Sequence, residues 1–200
     1  MKFIKENSYD IVKFFIYQIG LAVFSLTLAI PLSAAIEEDK ADVGLIVQLC
    51  VSILAILFYS MLVYTVSWEH GATERIRIDA GKSAHDKFKG AKIALIASIP
   101  NFLVSSVAIL SAILYAEGNV WNAVFVLVVF ILGLMESMYL GTVQFVASFF
   151  AADLFLSNII RGICFFVLPC IIVFASHLGY TLGDKNIKIF GFMPDKKHKR

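Results

Sequence analysis

The chain has 200 residues, of which 60% are hydrophobic, 14% aromatic and only 16% charged, with a mean hydropathy of +0.84. An apolar share this high and a charged share this low exclude an ordinary water-soluble domain, which has no interior large enough to hide so many apolar side chains. The formal net charge of +2 gives no electrostatic footprint for nucleic acid.

In chain order, the run from Phe14 to Ile36 carries no charge. It is longer than the about 7–15 apolar residues of a secretory signal core, so it reads as a retained first membrane span. About 20 apolar residues cross a bilayer as a helix, because every backbone amide must be satisfied internally there. The pattern predicts spans at about 12–36, 43–68 and 92–116. A polar loop at 69–92 separates the second from the third.

From Gly118 to Gly183 the only fully charged side chains are Glu136, Asp153 and Arg161, which divide the region into runs that predict spans at 119–136, 138–157 and 160–182. All but Lys40 and Arg161 of the 17 Lys and Arg residues fall in the N-terminal segment, the loop 69–92 and the tail 184–200. Cationic residues gather on the cytoplasmic side of a membrane. Both termini are therefore expected in the cytoplasm and the span count is expected to be even.

The expected fold is thus an all-α six-helix transmembrane bundle, one domain over 1–200, placed in the cell membrane, with no internal repeat or low-complexity segment. Glu136 then falls at a tight cytoplasmic turn and 158–161 at an outer turn. The rival arrangement is one bent helix through Glu136, or a re-entrant pair over 137–158. Two cytoplasmic segments, "RIRID" (75–79) and "NIKIF" (186–190), alternate polar and apolar residues and predict a small two-stranded sheet under the bundle. The surrounding Lys and Arg are expected to meet anionic lipid headgroups.

Small residues recur at every fourth position of span one, Ser25, Ala29 and Ser33, a helix-packing stripe that lets a second helix approach closely. Span two carries Gln48, Ser52 and Tyr59 on one side, span three has Asn101 just after Pro100, and span five adds Thr142, Gln144 and Ser148. A polar cavity lined by Gln48, Ser52, Tyr59, Asn101 and Gln144 suits an uncharged ligand; the plainer reading is interhelical hydrogen bonds worth about 0.6 kcal/mol each.

The intramembrane charges Glu136, Asp153, Arg161 and His177 are candidate functional groups because their burial is costly. Asp153 and Arg161 are expected to pair across the outer turn. Glu136 is expected to snorkel to water or to cap a helix, and a bolder reading pairs it with His177 as a proton relay. Cys50, Cys164 and Cys170 lie in apolar runs without CxxC, and His70 and His85 match no ligand spacing, so neither disulfide, metal nor cofactor is expected. No HExxH, GxSxG or P-loop occurs, and the chain is not expected to be an enzyme.

In size, span count and the stripe Ser25, Ala29 and Ser33, the chain is similar to the substrate-binding subunits of energy-coupling-factor transporters, a likeness of architecture alone. The expected function is a small multi-pass subunit, accessory or regulatory, acting through a partner membrane protein or a second copy. The alternative is an autonomous small-solute binder or transporter using the polar stripe of spans two, three and five.

Overall fold

A computed structural model describes residues 2–34, 41–82, 86–114 and 120–187, and among them all regular structure is helical. Helix α1 (Lys2–Glu6) precedes α2 (Ser8–Ala34), followed by the long α3 (Ala41–Asp79). Helices α4 (Lys89–Ala97) and α5 (Ile99–Ile113) form one rod bent by 53°. Pro100 lies in the first turn of α5, where its missing amide costs nothing. Helix α6 (Val120–Met135) meets a 3-10 turn (Ser137–Tyr139) and α7 (Leu140–Ser148) at a bend of 92°. Helices α8 (Leu154–Val167) and α9 (Pro169–Asp184) run on as one rod.

Three helical rods are each long and apolar enough to cross a membrane: Ser8–Pro31, Asp42–Asp79 and Leu154–Asp184. The two bent pairs raise the number to at most five. Among the described residues the count is thus three to five by length and composition, and the expected six is not reached. The segment expected to span at 138–157 is a 3-10 turn, the 9-residue α7 and a turn, and the outer turn expected at 158–161 lies within α8. The break falls instead at Asp153, whose Oδ1 accepts from the Leu156 amide at 3.1 Å and caps α8. A lone arginine does not interrupt a helix, so Arg161 carries no turn signal of its own.

The expected strand at 75–79 is also corrected. Those residues are the last turns of α3, where Arg75 and Asp79 pair at 3.1 Å with the i,i+4 spacing of a helix face. Among the described residues there is no strand; residues 188–190 of the partner segment lie outside the description. With 39 residues at about 1.5 Å each, α3 is about 58 Å long, nearly twice a bilayer core of about 30 Å. The second span therefore does not stop at Trp68, and its polar end projects beyond the apolar part. There Glu74, 4% exposed, meets Lys89 at 3.0 Å. Nearby, burial pushes the Asp86 carboxyl up, but the Lys92 ammonium at 2.7 Å and the Phe88 amide hold it below the ordinary carboxylate range.

Contacts give each rod its direction. The Tyr59 hydroxyl donates to the Phe14 carbonyl at 3.1 Å and Asp10 meets His70 Nδ1 at 3.2 Å, so α2 and α3 are antiparallel. Gly179 lies on Tyr64 and Gly183 on Trp68, so α9 runs parallel to α3. Gly162 lies on Ile109 and Phe166 packs on Phe102, so α8 is antiparallel to α5. The start of α2 and the end of α9 consequently share one end of the bundle, joined by the Asp10–His70 pair and the His70–Tyr180 ring contact. Helix α5 ends, and α8 begins, at the opposite end. The α6–α7 segment between them must begin and finish at that opposite end.

The most extensive packing is between α3 and α9. A Cβ on Gly179 would overlap the Tyr64 carbonyl, one on Gly183 the Trp68 carbonyl, and one on Gly71 the Tyr180 carbonyl. Large side chains such as Leu54, Leu103, Phe130 and Phe174 instead stand more than 60% exposed on the outside of the bundle. Replacing Gly183 with Val should lower the thermal midpoint of the detergent-solubilised protein by about 5–10 °C, because overpacking costs about 1–3 kcal/mol or more. Gly20, with no atom within 4 Å of a built Cβ, should accept Ala without loss. Circular dichroism melts of the two variants check the contrast.

Candidate functional site

The site is organised by the segment 136–142, which leaves α6 in a non-helical turn and enters the gap between α2 and α3. Irregular backbone buried this deeply needs partners for its carbonyls. Serines supply them. Ser25 donates to the Ser137 carbonyl at 3.3 Å, Ser52 to the Met138 carbonyl at 2.6 Å, and Gln18 to the Met135 carbonyl at 3.4 Å. In return the Ser137 hydroxyl donates to the Ala22 carbonyl. Ser52 also lies 2.9 Å from the Thr142 hydroxyl and accepts from the Thr142 amide at 3.2 Å. Gly141 then allows α7 to lie directly on the Gln48 carbonyl of α3.

Beside this insertion is a cleft of about 170 Å³ whose polar lining is Ser25, Gln48, Ser52, Ser137 and Gln144, with Ala29 and Ile30 completing one wall. Among the described residues no charged side chain lines it. Next to it, sharing Ser25 and Val51, is an apolar groove of about 360 Å³ formed by Phe24, Leu28, Leu54, Ala55 and Phe58.

Of the five residues read from the sequence as a polar cavity, three line this cleft: Gln48, Ser52 and Gln144. Tyr59 lies deeper, bonded to the Phe14 carbonyl between α2 and α3. Asn101 is 1% exposed on α5, away from the cleft lining, with no hydrogen-bond partner for its Oδ1. Of the small-residue stripe, Ser25 and Ala29 line the cleft, and the Ser33 side chain lies outside the description.

Glu136 is the outlier. It is fully buried and neither carboxyl oxygen has a hydrogen-bond partner, so it does not snorkel to water from a turn as expected. The bend carries it inward because the flanking backbone, not the carboxyl, is what the serines hold. Its electrostatic neighbours are Tyr59 and Tyr139. His177 stacks on Phe88, with rings 5.3 Å apart, at the end of the bundle that carries the termini, so the two are not brought together. Asp153 and Arg161 form no ion pair; Asp153 caps α8 and the Arg161 Nε is buried without a hydrogen-bond partner.

Several contributors were missed. Ser137 and Gly141 act only through the 3-10 turn, which has no periodic signal in the sequence. The Asp10–His70 pair and the chain Ser67–Ser176–Gly90, with links of 2.8 Å, join residues far apart in sequence. Gly179 and Gly183, four residues apart, did carry a legible close-packing spacing.

Among the described residues no group of three or more His, Cys, Asp or Glu is placed to hold a metal ion. Comparison with protein-family models, curated proteins and solved structures found no match. The class the fold defines is an all-helical chain with three to five helices long and apolar enough to cross a membrane.

The unpartnered Glu136 generates a direct test. An ionised group without donors is costly to bury, so Glu136→Gln, neutral and of equal size, should leave stability within about 0.5 kcal/mol. Glu136→Lys should cost about 3–5 kcal/mol, since its charge has no partner there. Urea titration in mixed micelles separates the two.

Proposed function

We propose that this chain is a membrane-embedded binding protein for a small uncharged polar ligand, set in the cell membrane with both termini in the cytoplasm. The observation that carries the reading is the cleft of about 170 Å³, where Gln48, Ser52 and Gln144 from two helices converge with Ser25 and Ser137 and, among the described residues, no charge intervenes. The Gln48 and Gln144 amides offer both donors and acceptors, the chemistry that recognises hydroxyl- or amide-bearing molecules, while the serine hydroxyls, which donate to backbone carbonyls, offer acceptor lone pairs.

In this reading the rods α2, α3, α4 with α5, and α8 with α9 cross the membrane, and α6–α7 is a re-entrant pair. Four crossings agree with α2 starting and α9 ending at one end of the bundle, where the cationic Arg75, Lys89 and Lys92 also lie. The cleft then opens toward the outer side. Cysteine labelling tests this topology after Cys50, Cys164 and Cys170 are replaced by Ala. Cysteines at Lys82 and Lys185 should react from one side, and one at Ala152 only from the other. Ala152 and Lys82 reacting from the same side would make α6–α7 a full span and remove this topology.

A second reading, docking of a partner membrane helix, is favoured by one feature: Ala29 of the small-residue stripe, half-buried, lines an open cleft. The test that separates them is native mass spectrometry of the gently solubilised protein. Wild type should retain a small uncharged molecule that Gln48→Leu combined with Gln144→Leu releases. Retention unchanged by the double substitution, or a bound protein chain in place of a small molecule, would rule against the binding reading; the latter supports the second.

A further inference from the structure

Resting on the binding reading, we propose that the ligand is a single-chain amphiphile with an uncharged headgroup, of which a monoacylglycerol is the simplest example. The polar cleft and the apolar groove are not two sites. They share Ser25 and Val51, so a molecule held in the first extends directly into the second. Polarity along α3 changes in the order such a molecule needs: Gln48 and Ser52 at the cleft, then Leu54, Ala55 and Phe58 further along the same helix. Across the ten residues from Gln48 to Phe58 the helix rises about 15 Å.

The groove, at about 360 Å³, has about twice the space of the cleft, at about 170 Å³, so the apolar part of the ligand takes the larger share. Among the described residues no Lys, Arg, Asp or Glu lines either part, and an anionic or zwitterionic head would surrender hydration to them without compensation. Access is lateral: Phe24, Leu54 and Phe58 are each more than half exposed on the outside of the bundle. In the proposed orientation the head lies toward the outer surface and the chain toward the midplane, as a lipid of that leaflet lies.

The test uses the full chain in phosphatidylcholine nanodiscs containing a monoacylglycerol with a photoactivatable group on its acyl chain. Crosslinks are mapped by mass spectrometry. Crosslinking at Phe24, Leu28, Leu54 and Phe58 is expected, displaced by unlabelled monoacylglycerol but not by glycerol or lysophosphatidic acid. Gln48→Leu with Gln144→Leu should weaken that displacement by about tenfold or more, since each removes a hydrogen-bonding partner of the head. Leu28→Trp, which fills the groove, should abolish the crosslinks while leaving the cleft intact.

Crosslinks spread equally over Phe130 and Phe174, and not displaced, would mean bulk lipid and overturn the proposal. So would displacement by lysophosphatidic acid at equal concentration. If crosslinking fails yet a small polar molecule is still retained through Gln48 and Gln144, the amphiphile is wrong and the binding reading stands; if both fail, both fall.

Discussion

Helices α3 and α9 approach until backbone meets backbone, and the other elements are arranged around that contact. Gly179 faces the Tyr64 carbonyl and Gly183 the Trp68 carbonyl, one turn apart on both helices, while Gly71 returns the favour under Tyr180. Lipid chains are as apolar as leucine, so helices in a bilayer gain little from hiding apolar surface from one another. What holds them is dispersion at short range, and glycine is the residue that permits it. Gly90 extends the same device to α4, where a Cβ would press on Tyr180. Three helices are thus gathered at the end of the bundle where α2 starts and α9 finishes, and Asp10 with His70 at 3.2 Å and Glu74 with Lys89 at 3.0 Å close it.

At the other end the same α3 is kept apart from α2. The two helices touch directly through Tyr59 and Phe14, but between Ser25 and Ser52 the 3-10 turn is interposed and its carbonyls take the serine hydroxyls. An irregular segment is tolerated at such depth only because these side chains replace the hydrogen bonds a continuous helix would have made. The wedge explains three features together: the 92° bend after α6, the burial of Glu136 immediately before the turn, and the open space beside it.

The apolar composition, the helical character and the first three long segments were legible in the sequence because a run of uncharged residues needs no tertiary context to be read. The polar residues Gln48, Ser52 and Gln144 were legible for the same reason: each stands out against apolar neighbours. The later half misled because charge was used as a mark of helix ends. Arg161 lies inside α8 and Glu136 is buried, whereas the real break at Asp153 is a capping event, decided by one side chain accepting from an amide three residues on. The alternation of "RIRID" misled because a five-residue pattern cannot separate a period of 2 from one of 3.6 when i,i+4 charge pairs fit the helix equally well. Pairings such as Asp10 with His70 depend on which helices are neighbours, and nothing local encodes that.

The described cavities differ in size. The one between α2, α3, α4 and α9, around Asp10, His70 and Tyr180, has about 10 Å³, about the space of one water. The cleft and groove beside the wedge are larger by more than tenfold. The α9 glycines that contact α3 directly, Gly179 and Gly183, both lie in its last two turns, so the tight contact cannot extend along the full length of α3. Free energies of local opening follow packing. The end where α3 meets α9 is therefore held by close backbone packing over several glycines, whereas the wedge of 136–142 is held by serine hydrogen bonds and by the single close approach of Gly141 to the Gln48 carbonyl.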